Sequence, residues 1–172
     1  GRAEPSVAVA AFARAAQRLG AAVIEDCAVR TLDIQAGRVR GVVTEKGLVG
    51  ADQVVLAGGA WSSLFLRRHG GDIPQLAVRS TAMATQPLPE VVHTAAVDDR
   101  LAFRPRDDGG YTLAPAAFGE LYLGPDMLRH LHHYLPLALS GEFDIHPRGP
   151  QPRHWPDAFS TPRHWSGAEE SP

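Results

Sequence analysis

Gly58 and Gly59 follow the short apolar run Gln53-Val54-Val55-Leu56-Ala57 and precede Ala60-Trp61-Ser62, so the spacing predicts a strand delivering small residues into a helix start. With no Cβ in the way, backbone N–H groups there can approach an anion closely, and the partly positive helix start favours one. A phosphate suits that geometry; on the glycines alone, a tight turn with no ligand suits it equally. His130, His132 and His133 form a second cluster, with His130 and His133 at i, i+3 on one helix face. No acidic residue follows at the i+4 spacing, Asp126 upstream lacks a further convergent ligand, and no HExxH occurs. The histidines therefore read first as a solvated helix face, and a metal site stands as a third reading of the chain. Arg104 and Arg106 flank Pro105, where a planar fork of donors suits either a substrate carboxylate or a surface position. Asp98-Asp99 and Asp107-Asp108 fall at turns, where carboxylates cap backbone donors. Cys27 stands alone, which excludes an internal disulfide and a CxxC pair, and no serine sits in a G-x-S-x-G elbow.

The elements that must position these residues begin with an amphipathic helix over 5–19, where Val9, Phe12, Ala13, Ala16 and Leu19 recur at helical spacing and Gly20 ends the run. A short strand is expected over 22–25. Runs at 29–34, 39–44 and 48–51, separated by turns carrying Gly37 and Gly47, predict a three-stranded antiparallel meander. The β-branched run 53–57 reads as a strand covered on both faces, followed by a helix over 60–68 that ends at Gly70-Gly71. Beyond residue 72 strands are expected at 77–84, 91–96, 101–104, 111–114 and 121–123, with Asp107-Asp108-Gly109-Gly110 as a hairpin signal. A helix over 125–135 is expected to break at Pro136, and the proline-rich region from Pro147 onward reads as an extended tail. Within it Pro152-Arg153-His154-Trp155 is echoed by Pro162-Arg163-His164-Trp165, too few copies for a repeat protein.

With 172 residues, 44% hydrophobic and 21% charged, the chain has a globular composition and length enough for a substantial core. The formal net charge of −2 provides no broad positive field, so nucleic acid is not an expected partner. No apolar stretch approaches the roughly 20 residues of a membrane helix, and no basic start precedes an apolar segment. A soluble, cytoplasmic protein without membrane association is the expectation.

Taken in order, Glu4-Pro5 opening a helix, Leu19-Gly20-Ala21 closing it, Val29 on the next strand, Gly41-Val42-Val43-Thr44 in the meander and Ala51 to Val55 running into Ala57-Gly58-Gly59-Ala60-Trp61 resemble the D-amino acid oxidase, glycine oxidase and sarcosine oxidase family. The likeness covers residues 3 to about 86, and Leu101 to Arg106 with Gly110-Tyr111 looks like a strand pair of that family's substrate domain. The resemblance implies FAD, with Val29 meeting the adenine through its backbone and Ala57, Gly58, Gly59 and Trp61 passing beside the flavin nucleotide. It implies Phe103 and Arg104 on the substrate side, a small amine or amino acid as substrate, and hydride transfer from the amine-bearing carbon to flavin followed by imine hydrolysis. Glycine oxidases place a substrate-site tyrosine near Leu101 where this chain has Ala102 or Phe103, which argues against glycine as substrate.

The family's opening G-x-G-x-x-G occurs nowhere in the 172 residues. The expected fold is therefore α/β with an α+β second lobe: a partial, Rossmann-like FAD-binding domain with an antiparallel meander over 1–72, part of a mainly antiparallel substrate domain over 73–146, and a Pro/Trp-rich tail over 147–172. Such a fragment is expected to be inactive alone and not to retain FAD. The alternative is a stand-alone α/β binding or interaction module that never held a cofactor. A complete module should cover Val54, Val55 and Leu56 with its own elements; a fragment should expose them or hide them in a homo-oligomer.

Overall fold

A computed structural model describes residues 4–116, 118–141 and 144–163. His164 and Trp165, the second half of the sequence echo, lie outside them. The chain divides into two compact units, each drawn from separate stretches.

The first unit comprises Gly1–Ile24, Val78–Glu120 and Ser140–His146. Its helix α1 (Pro5–Arg18) starts on a proline, which needs no N–H in the first turn, and ends before Gly20 as expected. Strands β5 (Met83–Ala84), β6 (Ala96–Val97), β7 (Leu101–Pro105) and β8 (Tyr111–Pro115) form a sheet in the order β5-β8-β7-β6. All its pairings are antiparallel. The β7–β8 hairpin closes where Asp107 to Gly110 predicts it. Asp108 accepts from the Gly110 N–H at 3.0 Å, and Asp98 accepts from Arg100 and Leu101 at 2.8 and 2.7 Å, so both acids hold turns.

The second unit comprises Glu25–Ala77, Leu121–Leu139 and Pro147–Pro172. The meander β1 (Val29–Gln35), β2 (Arg38–Thr44), β3 (Gly47–Gly50) is antiparallel and in sequential order, as expected. A 3-10 turn at Gly59–Trp61 leads into α2 (Ser62–Arg68). A third sheet runs in the order β10 (Asp144–Pro150), β9 (Phe118–Leu123), β4 (Val78–Arg79). Helices α3 (Pro125–Arg129) and α4 (Leu131–Leu139) complete the elements.

Several expectations are corrected. Residues 22–25 and 53–57 form no strand, because a strand needs neighbours for its backbone hydrogen bonds and none of the described residues supplies a ladder there. Val54, Val55 and Leu56 are 37%, 89% and 36% exposed, not covered on both faces. Pro136 lies inside α4 and does not end the helical region; the break falls earlier, at His130. Part of the proline-rich region is the strand β10, followed by turns through 163. The expected large core is absent as well: among the described residues the buried apolar side chains are Leu64, Pro105, Tyr111, Met127 and Ala158, and α1 buries none. The fold is mixed α/β with antiparallel sheets.

Candidate functional site

The residues expected beside a nucleotide all lie in the second unit. Val29 opens β1, paired with Thr44. Ala57, Gly58 and Gly59 are exposed, and so is the Trp61 indole. Gly59 has φ +56, a left-handed conformation that disfavours a side chain, and a Cβ there would meet nothing within 4 Å. Gly58 has room for a methyl, since its Cβ would sit at ordinary contact from Ser62 and Leu56. The bend thus presents open backbone to solvent. One donor at the start of α2 is already used: the Ser63 N–H donates to Gln75 Oε1 at 2.7 Å, while Gln75 Nε2 donates to the Gly59 carbonyl at 3.1 Å. Trp61 also lines a cleft of about 200 Å³ with Arg153, His154 and Trp155. Trp155 packs edge-on against Tyr122 at 5.1 Å, so the first copy of the echo anchors a loop.

Sequence reasoning missed the polar cluster that fixes α2 against α3 and the tail. Asp126 is buried and accepts from Ser63 Oγ at 2.8 Å and from Arg67 Nη1. Burial alone would raise its carboxyl, but the bonds from Arg67 and Ser63 and the Arg67 charge outweigh it and hold the pKa below the usual carboxylate range. Asp157 accepts the Asp126 N–H at 2.8 and 3.0 Å and takes Arg163 at 3.0 Å, thereby capping α3 from the tail. Burial pushes the Asp157 carboxyl up, the N–H bonds offset part of that, and the Asp126 charge adds to it. His130 is buried, with Nε2 at 3.2 Å from Asp72, which corrects the solvated-face reading for that residue, while His132 and His133 are exposed as expected. It occupies the junction between α3 and α4, while the His132 and His133 rings lie 4.0 Å apart; among the described residues no three potential ligands gather around a metal.

The first unit carries the substrate-side residues. Phe103 and Arg104 both line an open depression of about 340 Å³ on the four-stranded sheet, with Ala95, Val97, Ala102, Thr112 and Ala114 among its walls. Strand alternation sends their side chains to opposite faces, and Phe103 packs on Tyr111 at 6.3 Å. Arg104 Nη1 donates to Glu4 Oε1 at 2.8 Å, so this guanidinium already holds a carboxylate. Arg106 pairs instead with Asp108 in the hairpin turn. Thr112 and Ala114 were not singled out from sequence. The signal existed: with the hairpin fixed by Asp107 to Gly110, period-two alternation in β7 and β8 places Ala102, Arg104, Thr112 and Ala114 on one face.

Residues 1–165 match the family described as DAO: FAD dependent oxidoreductase. The chain belongs to this family. Among curated members it is 40% identical over 73 residues to a D-amino acid dehydrogenase of Sinorhizobium medicae, covering 42% of this chain and 18% of that protein. It is 34% identical over 133 residues to the mitochondrial sarcosine dehydrogenase of Mus musculus, covering 70% of this chain and 14% of that protein. Among solved structures, the L-amino acid deaminase from Proteus myxofaciens in complex with anthranilate superposes with a TM-score of 0.82 at 30% identity, over 93% of this chain and 35% of that one. The chain thus spans a minor part of the length of these relatives.

Full-length proteins of the family depend on FAD. The residues present suit one edge of such a group: open backbone at 57–59 and an exposed indole at 61. Among the described residues the Ser63 amide is taken by Gln75, and the sequence contains no G-x-G-x-x-G to seat its pyrophosphate. Among the described residues no helix is long and apolar enough to cross a membrane.

Proposed function

We propose that this chain is an internal part of an FAD-dependent oxidoreductase that oxidises an amine or amino acid, with residues 1–72 on the cofactor side, 73–146 on the substrate side and 147–172 as a tail. The observation that carries this reading is the composition of the sheet face: a shallow apolar cleft with one guanidinium, Arg104, whose present partner is a carboxylate. An amino acid substrate offers the same group. Val29, Ala57, Gly58, Gly59 and Trp61 fall in one unit and Phe103 and Arg104 in the other, which supports two sides, while residues 1–24 cluster with the second set and 121–139 with the first, across the proposed bounds. Exposure of Val54, Val55 and Leu56 favours a part of a larger body over a self-sufficient module.

FAD, when bound, supplies the acceptor for the hydride leaving the amine-bearing carbon; the nitrogen loses a proton, and water then converts the imine to a carbonyl compound and an amine or ammonia. The role of these residues is to orient. Arg104, beside Glu4, supplies the positive charge that orients the substrate carboxylate, and the apolar walls contact the rest of the molecule. By themselves the 172 residues lack the phosphate donors and should bind FAD weakly or not at all.

Anaerobic addition of racemic amino acids to the flavin-loaded enzyme containing this chain should bleach the flavin. Arg104→Lys, a point charge in place of a fork, should raise KM about tenfold with a smaller change in kcat. An unbleached flavin with every amino acid and N-methyl amine tried would remove the proposal.

A further inference from the structure

Within the second unit, one side chain joins the meander to the helix that follows the glycine bend. Among the described residues β1 has β2 as its one neighbour in the sheet, so alternate N–H groups of this edge strand point away from the ladder. The Leu32 N–H is such a group. It donates to His69 Nε2 at 3.3 Å, and Thr31 Oγ1 lies 3.4 Å from the same nitrogen. The ladder is irregular on either side of this point, between Val29 and Thr31 and between Asp33 and Ile34. His69 follows the last residue of α2, where its own N–H donates to the Leu66 carbonyl at 2.9 Å and its ring packs on Phe65 at 5.1 Å. A histidine at the end of α2 thus takes the place that a further strand would have beside β1.

Resting on the proposed function, we infer that His69 is a positioning residue for the cofactor side: its neutral ring ties β1, which Val29 opens, to the helix that the Gly58-Gly59 bend leads into. A backbone N–H can only donate, so Nε2 must offer its lone pair and the ring proton sits on Nδ1. Burial, with the Arg68 charge adding to it, holds the ring below the usual histidine range, which keeps that form at neutral pH. The other charged groups of β1 and α2 have partners of their own: Arg30 pairs with Glu45, Asp33 accepts from Gln35 and Arg67 donates to Asp126. A proton on Nε2 sets a donor against a donor. The tie is therefore present at neutral pH and lost as pH falls through the lowered value.

The test uses the flavin enzyme containing this chain, in wild type, His69→Gln and His69→Ala. Hydrogen exchange at the Leu32 amide, expressed as a protection factor, and the FAD dissociation constant are followed from about pH 8 to about pH 5. In wild type, protection should fall about tenfold and the dissociation constant rise about fivefold across that range, the loss of one hydrogen bond. Gln places a carbonyl oxygen where Nε2 stands and does not titrate, so His69→Gln should hold both readouts near their upper-pH values throughout. His69→Ala lacks the acceptor and should show the low-pH values at every pH. If wild-type protection ignores pH, or His69→Gln keeps the wild-type pH dependence, or His69→Ala matches wild type, the inference fails and the proposed function stands. Protection that responds while FAD affinity does not would also overturn it, since the tie would then position nothing. FAD bound but bleached by no amine or amino acid removes the proposed function alone; a wild type that takes up no FAD removes both.

Discussion

Asp126 is the residue on which the second unit turns. Its carboxylate joins Ser63 and Arg67 of α2 to α3, across sequence separations of 63 and 59 residues. No local pattern marks such a residue, because only the folded chain brings its partners together; the sequence reads it merely as a stray acid upstream of the histidines. Its pKa is depressed in the fold, so it contributes stability above the usual carboxylate range, and that contribution is lost as pH falls through the lowered value. Asp157 has the opposite sign: its raised pKa makes the protonated form the better folded one, a cost that is relieved on acidification. Replacing Asp126 removes the closer of the two carboxylates on Arg67 and leaves the longer contact to Asp72 at 3.5 Å, so Asp126→Asn should cost about 3 kcal/mol at neutral pH. The difference in Tm between variant and wild type should shrink as pH is lowered from about 7 to about 3; a difference independent of pH would contradict the assigned role.

At the scale of elements, the tail is held by packing that composition cannot foretell. A Cβ on Gly124 would lie 2.2 Å from Asp157 Oδ2 and 2.5 Å from its carbonyl oxygen, so the approach of the tail to the start of α3 requires glycine. Gly124→Ala should therefore expel Asp157 from its cap, at a loss of about 1–2 kcal/mol, and trypsin should cut after Arg153 several-fold faster than in wild type. Unchanged cleavage would show that the cap does not hold the loop. Regular patterns with local partners were legible: α1 from its periodicity, the meander from its glycine turns, and the β7–β8 hairpin from Asp107 to Gly110. The run 53–57 was misread because β-branched composition reports a preference for strand, while forming one depends on neighbours that the described residues do not provide.

For the molecule as a whole, the surface is more apolar than the composition suggests. Phe12 and Leu19 of the α1 region are 76% and 90% exposed, as is most of Val55, so these side chains gain little of the roughly 1.5–3 kcal/mol that burial of each would provide. Val55→Lys removes apolar surface without removing a contact. It should leave Tm within about 0.5 kcal/mol equivalent of wild type while lowering dye binding and light scattering of the 172-residue chain. A clear loss of Tm would mean that Val55 is covered in solution, by a second copy or otherwise.

Local chemistry written along the chain was enough to specify α1, the meander and the β7–β8 hairpin, to exclude an internal disulfide and G-x-S-x-G chemistry, and to suggest the FAD-dependent family through an ordered run of short motifs. Those features depend on residues a few positions apart, whose interactions survive in any context. Which face of the sheet stays open, which acid meets which arginine and which apolar side chains remain uncovered depend on partners tens of residues away. Register and packing decide them: a shift by one residue would bring Leu113 to the face that Ala102, Arg104, Thr112 and Ala114 share, with no change in composition.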